Sequence, residues 1–404
     1  MSSNGQWRSD DWWVSPFNYE PDVLDGLDLP EEVLIHDETL RDGEQTPGIV
    51  FRKDEKVRIA QMADDVGVKR MNVALPAVSP EDVEAVKEIT KLGLRSEVFV
   101  LSRAMASDID LAAECGVDGV VFEVPVGAPR LQYQFTNWSE DDVIEKSIDN
   151  IRYARTKDLR VVYFMMDSSR ADPAFLDRLL ERVTKEATPD SIALVDTSGC
   201  MSPQATAWLV RHMRDVTRLP IEIHTHNDMG LAVGNSMAAL AAGASAIHTS
   251  IGGIGERTGN TPLEEAAVAV RVLYGLDPGL DLGRLTELTR EVARIAGFDL
   301  APNKPIAGTR TFTRESGMGI DLIKSQPLGL FCLHPRLVGQ EAQYILGKKS
   351  GGPSIRMKLD DLGLDADDDQ IREMLSRVKE LGISKKGPLT DEEFRSIHQT
   401  VTAP

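Results

Sequence analysis

His224 and His226 stand two residues apart in the strand-like stretch IEIHTHND, and an Arg41–Asp42 pair closes an earlier one, VLIHDETLRDGEQ. Alternate residues of a strand point to one face, so both imidazoles can reach a single point in space. A carboxylate from another strand end would complete a three-ligand metal site with open positions for substrate oxygens. Taken alone, a His-x-His pair is also what two satisfied polar groups near a rim look like. Asn227 and Asp228, which follow at once, suit a wet functional strand end and an ordinary turn alike. The choice rests on what the rest of the chain brings to the same place.

The chain has 404 residues, 42% of them apolar, enough for one large domain with an appendage. Short β-branched runs alternate with longer amphipathic ones. Strands are expected at 33–39, 70–75, 95–103, 119–125, 160–167, 191–197, 221–227 and 246–253. Helical patterns fill the intervals, among them SPEDVEAVKEITKLG and SPQATAWLVRHMRDV, each opened by a serine placed to cap the first turn. Eight strand–helix units fit an α/β fold of the (β/α)₈ TIM barrel type, whose active sites gather at the C-terminal ends of the strands. Asp42, Arg103, Asp167, Thr197, His226 and Asn260 fall at or just after such ends, so one rim would collect them.

The barrel is expected over 31–300. Residues 1–30 form an N-terminal extension rich in aromatics, with Trp7, Trp12, Trp13, Phe17 and Tyr19 placed to cover a surface of the same or a neighbouring subunit. Residues 301–352, rich in Pro and Gly, read as a linker subdomain over the barrel mouth. Residues 353–404 read as a small helical subdomain, with DADDDQIREMLSRVKELG and TDEEFRSIHQTV as its helices.

A formal charge of −19 argues against nucleic acid or an anionic membrane surface as the main partner. An anionic substrate must then be held by a local cluster of Arg, Lys or metal. Three cysteines, Cys115, Cys200 and Cys332, are too few and too scattered for a disulfide framework, which points to the reducing cytoplasm. No apolar run approaches the roughly 20 residues of a membrane span, and the first residues lack the pattern of a signal peptide.

HDETLRDGEQTPG, LVDTSG, HTHNDMGLAVGNSMAALAAGA and GGIGERTGNTPLEE, in that order, resemble the signature segments of a family of metal-dependent barrel enzymes. That family includes 2-isopropylmalate, homocitrate and citramalate synthases and, more distantly, hydroxymethylglutaryl-CoA lyase. The resemblance runs from about residue 31 to the C-terminus, taking in KPIAG, RESGMGID, LVGQE and GKKSGG. It implies a Claisen-type acyltransferase that condenses an acyl-CoA with a 2-oxo acid, working as a homodimer in the cytoplasm. By the same resemblance Asp42, His224 and His226 are metal ligands, and Asn260 ligates or supports the metal. Such carboxylate and imidazole ligands suit Mg²⁺, Mn²⁺, Zn²⁺ or Co²⁺. Arg41 would stabilise the oxyanion growing on the ketone, while Gln45, Arg103 and Thr197 would bind substrate.

Departures from the pattern fall on the other half of the chemistry. Met166 stands where the synthases carry a Glu before the Asp of YFMMDSSRAD, and Gly319 stands where a His ends the core of RESGMGID. Lys349 replaces the His of GKHSG, Arg314 another common His, and Asn72 the usual Glu of the second strand. In the synthases that first Glu and the His at position 319 are the groups associated with activating the acyl-CoA methyl group. Lys349, Glu256 and Asp228 are the candidate replacement acids or bases. Two other readings stay open: a metal-dependent carbon–carbon lyase or aldolase cleaving a 2-hydroxy acid, and a non-catalytic paralogue acting as a binding protein. The first is weakened because GGIGERTGN lacks the cysteine of the lyases; the second needs neither turnover nor metal. Met166 and Gly319 together would enlarge the site with apolar wall and favour a bulkier or less polar substrate. The chain ends about where the helical subdomain should, so the effector domain of leucine-regulated relatives, and feedback of that kind, are not expected.

Overall fold

Eight β-branched runs pair edge to edge in parallel until the last meets the first. In the computed structural model, which describes residues 5–403, they are β1 (Leu34–Asp37), β2 (Arg70–Asn72), β3 (Glu97–Arg103), β4 (Gly119–Pro125), β5 (Arg160–Met166), β6 (Ser191–Asp196), β7 (Ile221–Thr225) and β8 (Ala246–Thr249). They close in chain order into a (β/α)₈ barrel, with β8 alongside β1 from Leu34 opposite Ala246 to Asp37 opposite Thr249. Each strand lies within its expected run. β2 and β8 stop furthest short: past Asn72 and Thr249 the chain turns into loops with 3₁₀ turns at Pro76–Val78 and Ile251–Gly253. These shortened ends are where the barrel gives way to its rim.

The helices between strands start where the sequence places caps. Ser79 and Ser202 accept from the backbone N–H of Asp82 and Ala205, and Asp172 accepts from Ala174 and Phe175, each followed by a proline at the first helical position. Such caps satisfy N–H groups that the helix itself leaves unpaired. A closed barrel has no edge, so every strand alternates between the helical layer and the interior.

That interior holds two kinds of contact. Phe99, Leu101, Val121, Val162, Phe164, Ala193 and Val195 form an apolar cluster. A set of buried charges fills other inward positions. Arg70 donates to His36 Nδ1 and to Glu222, His248 Nε2 lies 2.7 Å from Glu222 Oε2, and Ser191 donates to Glu222. The His36 and His248 rings stack with centroids 4.3 Å apart. Burial alone would raise the Glu222 carboxyl, but Arg70 and His248 outweigh it and hold it well below the ordinary carboxylate range. Buried charge is tolerated only when compensated in this way.

The fold divides into two units, Pro16–Leu300, which contains the barrel, and a second made of the residues up to Ser15 with those from Ala301 onward. In the second unit, helices Gly352–Leu362, Asp368–Lys385 and Asp391–Thr402 pack around Ile355, Leu359, Ile371, Met374, Val378 and Phe394. The stretch read as one N-terminal extension is split. Arg8 covers the Trp13 ring at 3.9 Å and Asp11 pairs with Arg336 at 2.8 Å in this unit, whereas Tyr19 donates to Val272 O in the barrel unit. All three cysteines are free, and among the described residues no helix is long and apolar enough to cross a membrane.

Replacing Glu222 with Gln keeps the shape but leaves Arg70 and His248 short of a counter-charge, so denaturant unfolding should show a loss of about 3–5 kcal/mol. The wild-type contribution is complete above the unfolded carboxylate value of about 4.3 and is lost as pH falls toward the depressed folded value. The acid limb of the stability curve should therefore be shallower in the variant.

Candidate active site

β7 carries His224 inside the barrel, and the chain just beyond it carries His226, which forms an isolated bridge with Asn260. The two Nε2 atoms face each other at 3.3 Å, and Asp42 Oδ2 lies 3.4 Å from one and 3.6 Å from the other, all three side chains being buried. Burial pushes both imidazoles down, His226 to about 4, so both are neutral near pH 7. For Asp42, burial acts to raise the carboxyl, but the Arg41 guanidinium outweighs it and keeps the group ionised. Asp42 Oδ2 and Asn260 Oδ1 are buried without a hydrogen-bond partner. Two facing Nε2 atoms can share one proton at most, whereas a divalent cation would use both lone pairs and the carboxylate. The donor set fits such an ion, with the Asn260 carbonyl as a further oxygen.

Arg41 sits in the loop after β1, ahead of the Gly43–Gln45 turn. Its Nε and NH2 reach Glu38 Oε2 at 3.0 and 2.9 Å, and NH1 reaches Asp42 Oδ1 at 3.1 Å. Burial works against its charge, yet Glu38 and Asp42 hold it firmly protonated. Asn72 Nδ2 donates to the same Glu38 oxygen at 3.0 Å. The carboxylate absent from position 72 is thus present one strand over.

A second trio has similar spacing: His36 Nε2 and His248 Nδ1 lie 3.3 and 3.4 Å from Glu38 Oε1. Arg70 donates to His36 Nδ1, so a neutral His36 ring must carry its proton on Nε2. That nitrogen offers Glu38 an N–H and has no lone pair for a metal. Burial acts to lower His248, but Glu222 and Glu38 outweigh it and raise its value. The trio belongs to the buried charge network.

A cavity of about 190 Å³ opens on the Asp42–His224–His226 group. Of the residues singled out in the sequence, Arg41, Gln45, Thr197 and Glu256 also line it, as does Met166. Arg103 does not: its guanidinium forks onto Asp108 at 2.7 and 3.0 Å and is half exposed. Asp228 is bound by Arg257 at 2.8 and 3.2 Å, and Arg257 also donates to Glu256. Lys349, Arg314 and Gly319 belong to the other unit. Lys349 donates its backbone N–H to Glu315, and Gly319 has φ of +67°, a left-handed conformation that an imidazole-bearing residue adopts only with strain.

Three polar lining residues escaped the sequence reading: Glu123, Arg130 and Gln134. Glu123 had a signal. It is the lone charge in GVVFEVP, two residues after inward-facing Val121, and so on the interior side of β4. Burial pushes its carboxyl up to about 7. Arg130 comes from the short helix Ala128–Tyr133, brought close by Gly127, where a Cβ would lie 2.5 Å from Asp167 Oδ2. Arg130 Nε is buried and without a hydrogen-bond partner, 4.0 Å from an Asp167 carboxylate already forked by Arg170 at 2.9 and 2.7 Å. Thr197 Oγ1 accepts from the Asp167 N–H at 2.8 Å, tying the two rim loops together.

The family described as HMGL-like matches residues 32–292, and the one described as homocitrate synthase post-HMGL domain-like matches 306–386. Homocitrate synthase AksA of Methanopyrus kandleri is 37% identical over 383 residues, 95% of this chain and 96% of its own. A 2-isopropylmalate synthase of Methanocaldococcus jannaschii is 36% identical, covering 94% of this chain and 73% of its own. Among solved structures, hydroxymethylglutaryl-CoA lyase from Pseudomonas aeruginosa superposes with a TM-score of 0.59 at 20% identity, over 68% of this chain and 96% of that one, a likeness of fold.

If the Asp42–His224–His226 group binds a divalent ion, His226→Ala should weaken Mn²⁺ or Zn²⁺ binding at least about tenfold in calorimetric titration. Far-ultraviolet circular dichroism should stay unchanged. Equal metal content in wild type and variant would remove His226 from the donor set.

Proposed function

The chain belongs to the HMGL-like family, and on that premise we propose that it condenses an acyl-CoA with a 2-oxo acid in a divalent-metal-dependent reaction. The observation that carries this reading is a single small cavity in which the Arg41 guanidinium stands beside Asp42, His224 and His226. An ion held by those three residues, with Asn260, would supply Lewis-acid polarisation of the ketone. The remaining work falls to the protein's own side chains.

Arg41 faces the oxygen on which negative charge grows as the ketone carbon is attacked. Its charge is permanent and its position is set beforehand by Glu38 and Asn72, so little reorganisation is needed as the reaction proceeds. Arg130 and Thr197 hold the carboxylate of the 2-oxo acid, the role the sequence resemblance assigns to Arg103 with Thr197. Support for Arg130 is its place at the cavity wall and a buried Nε that makes no hydrogen bond. Gln45 completes the polar wall on the β1 side.

The cavity lies below the roughly 300–1,000 Å³ of sites that enclose a whole drug-sized ligand. It suits a small acid and the acyl end of the thioester, with the body of the coenzyme outside. Its lining counters the apolar enlargement expected from Met166: Glu123, Arg130 and Gln134 share the wall, so the site favours a polar acceptor. The overall change takes acyl-CoA, 2-oxo acid and water to a 2-hydroxy dicarboxylic or tricarboxylic acid and free CoA thiol.

Metal-loaded protein should release thiol from acetyl-CoA or a longer acyl-CoA with at least one of pyruvate, 2-oxoisovalerate and 2-oxoglutarate, and yield a 2-hydroxy acid whose mass is that of the 2-oxo acid plus the free carboxylic acid of the acyl group. Arg41→Lys should lower kcat on the order of 10²-fold, because an ammonium cannot reproduce the guanidinium fork. Unchanged kinetics would return Arg41 to a purely structural ion pair.

A further inference from the structure

We propose that Glu123 is the group that removes the α-proton of the acyl thioester in this cavity. The proposal rests on the condensing activity just described and assigns the proton-transfer residue that Met166 leaves missing.

Elimination among the groups present leads to it. A base must reach the cavity and keep a lone pair free. Asp42, His224 and His226 converge on one another as a donor set. Within the barrel unit, Glu256 accepts from Arg257, and Asp228 does not line the cavity. Among the described residues of the lining, Glu123 is the carboxylate with no hydrogen bond or ion pair, while Arg41, Asp42, Arg130 and Glu38 act on it only through their charges. Its place in the barrel supports the role. Residue 123 of β4 lies opposite Phe164 of β5, two residues before the Pro125–Met166 pair. A carboxylate on β4 therefore opens onto the same part of the cavity that position 166 lines.

The step balances without a further reactant. The Cα–H bond of the acyl group breaks as Glu123 takes the proton, and its electron pair forms the bond to the ketone carbon. The carbonyl π pair moves onto the oxygen beside Arg41, and that oxygen receives the proton back from Glu123. Water then cleaves the thioester and the CoA thiol leaves. A carboxyl raised by burial toward neutrality is matched to a proton it must both take and return.

Glu123→Gln keeps size and polarity but cannot accept the proton. With the wild-type metal content and melting temperature retained, it should lower kcat for thiol release by about 10²–10⁴-fold. KM for the 2-oxo acid should stay within a few-fold, and the isotope effect on kcat with methyl-deuterated acetyl-CoA should rise. Glu123→Asp, which keeps a carboxylate at shorter reach, should fall between. A kcat within threefold of wild type, or a loss confined to KM with an unchanged isotope effect, overturns the assignment and leaves the condensing activity standing. Wild-type protein that releases no thiol with any acyl-CoA and 2-oxo acid overturns both.

Discussion

The Arg41 guanidinium, buried and shared between Glu38 and Asp42, is the contact on which the site depends. A permanent charge removed from water must be answered by charges of the opposite sign, and each of those must in turn be held. Glu38 is held by Asn72 and flanked by His36 and His248, the latter bonded to Glu222, which Arg70 neutralises. Asp42 looks outward to His224 and His226. Arg41 thus links a structural charge network inside the barrel to the donor set at its rim. Glu38, Arg41 and Asp42 all come from the turn after β1, and their partners come from β2, β7 and β8.

A closed parallel barrel makes such a site tolerant of relocation. Interior positions of neighbouring strands sit in adjacent layers around one axis, so a functional group can reach a given place from one strand or the next. Glu38 just after β1 serves beside Asn72 on β2, and Glu123 on β4 stands beside the segment where Met166 ends β5. What the cavity needs is a carboxylate at a place in space, and several sequence positions can supply it.

Rim loops refine this. Gly127 permits the close approach to Asp167 that brings Arg130 to the cavity, while Thr197 ties the Asp167 backbone to the end of β6. Arg103, at the end of β3, is drawn away by Asp108 five residues on, a pairing available because the helix that follows begins at once. Strand ends therefore nominate residues for the rim, and local loop partners decide which of them face the cavity.

The alternation of β-branched runs with capped amphipathic segments determined the barrel, because period-2 and period-3.6 patterns fix which side of each element must be buried. Two histidines at i, i+2 in one strand pattern, with an Arg–Asp pair after another, brought Asp42, His224 and His226 together beside Arg41 as a candidate metal-holding group for the same reason: strand geometry is local. That Glu123 and Arg130 line the cavity was decided by tertiary structure, since a charge in an apolar strand or on a rim helix meets a cavity only where the neighbouring elements leave one. The pairing of Arg103 with Asp108, and the tautomer that keeps His36 from binding a metal, were likewise settled by which atoms meet in space. Electrostatic roles depend on distances between strands, and those distances come only from closing the barrel.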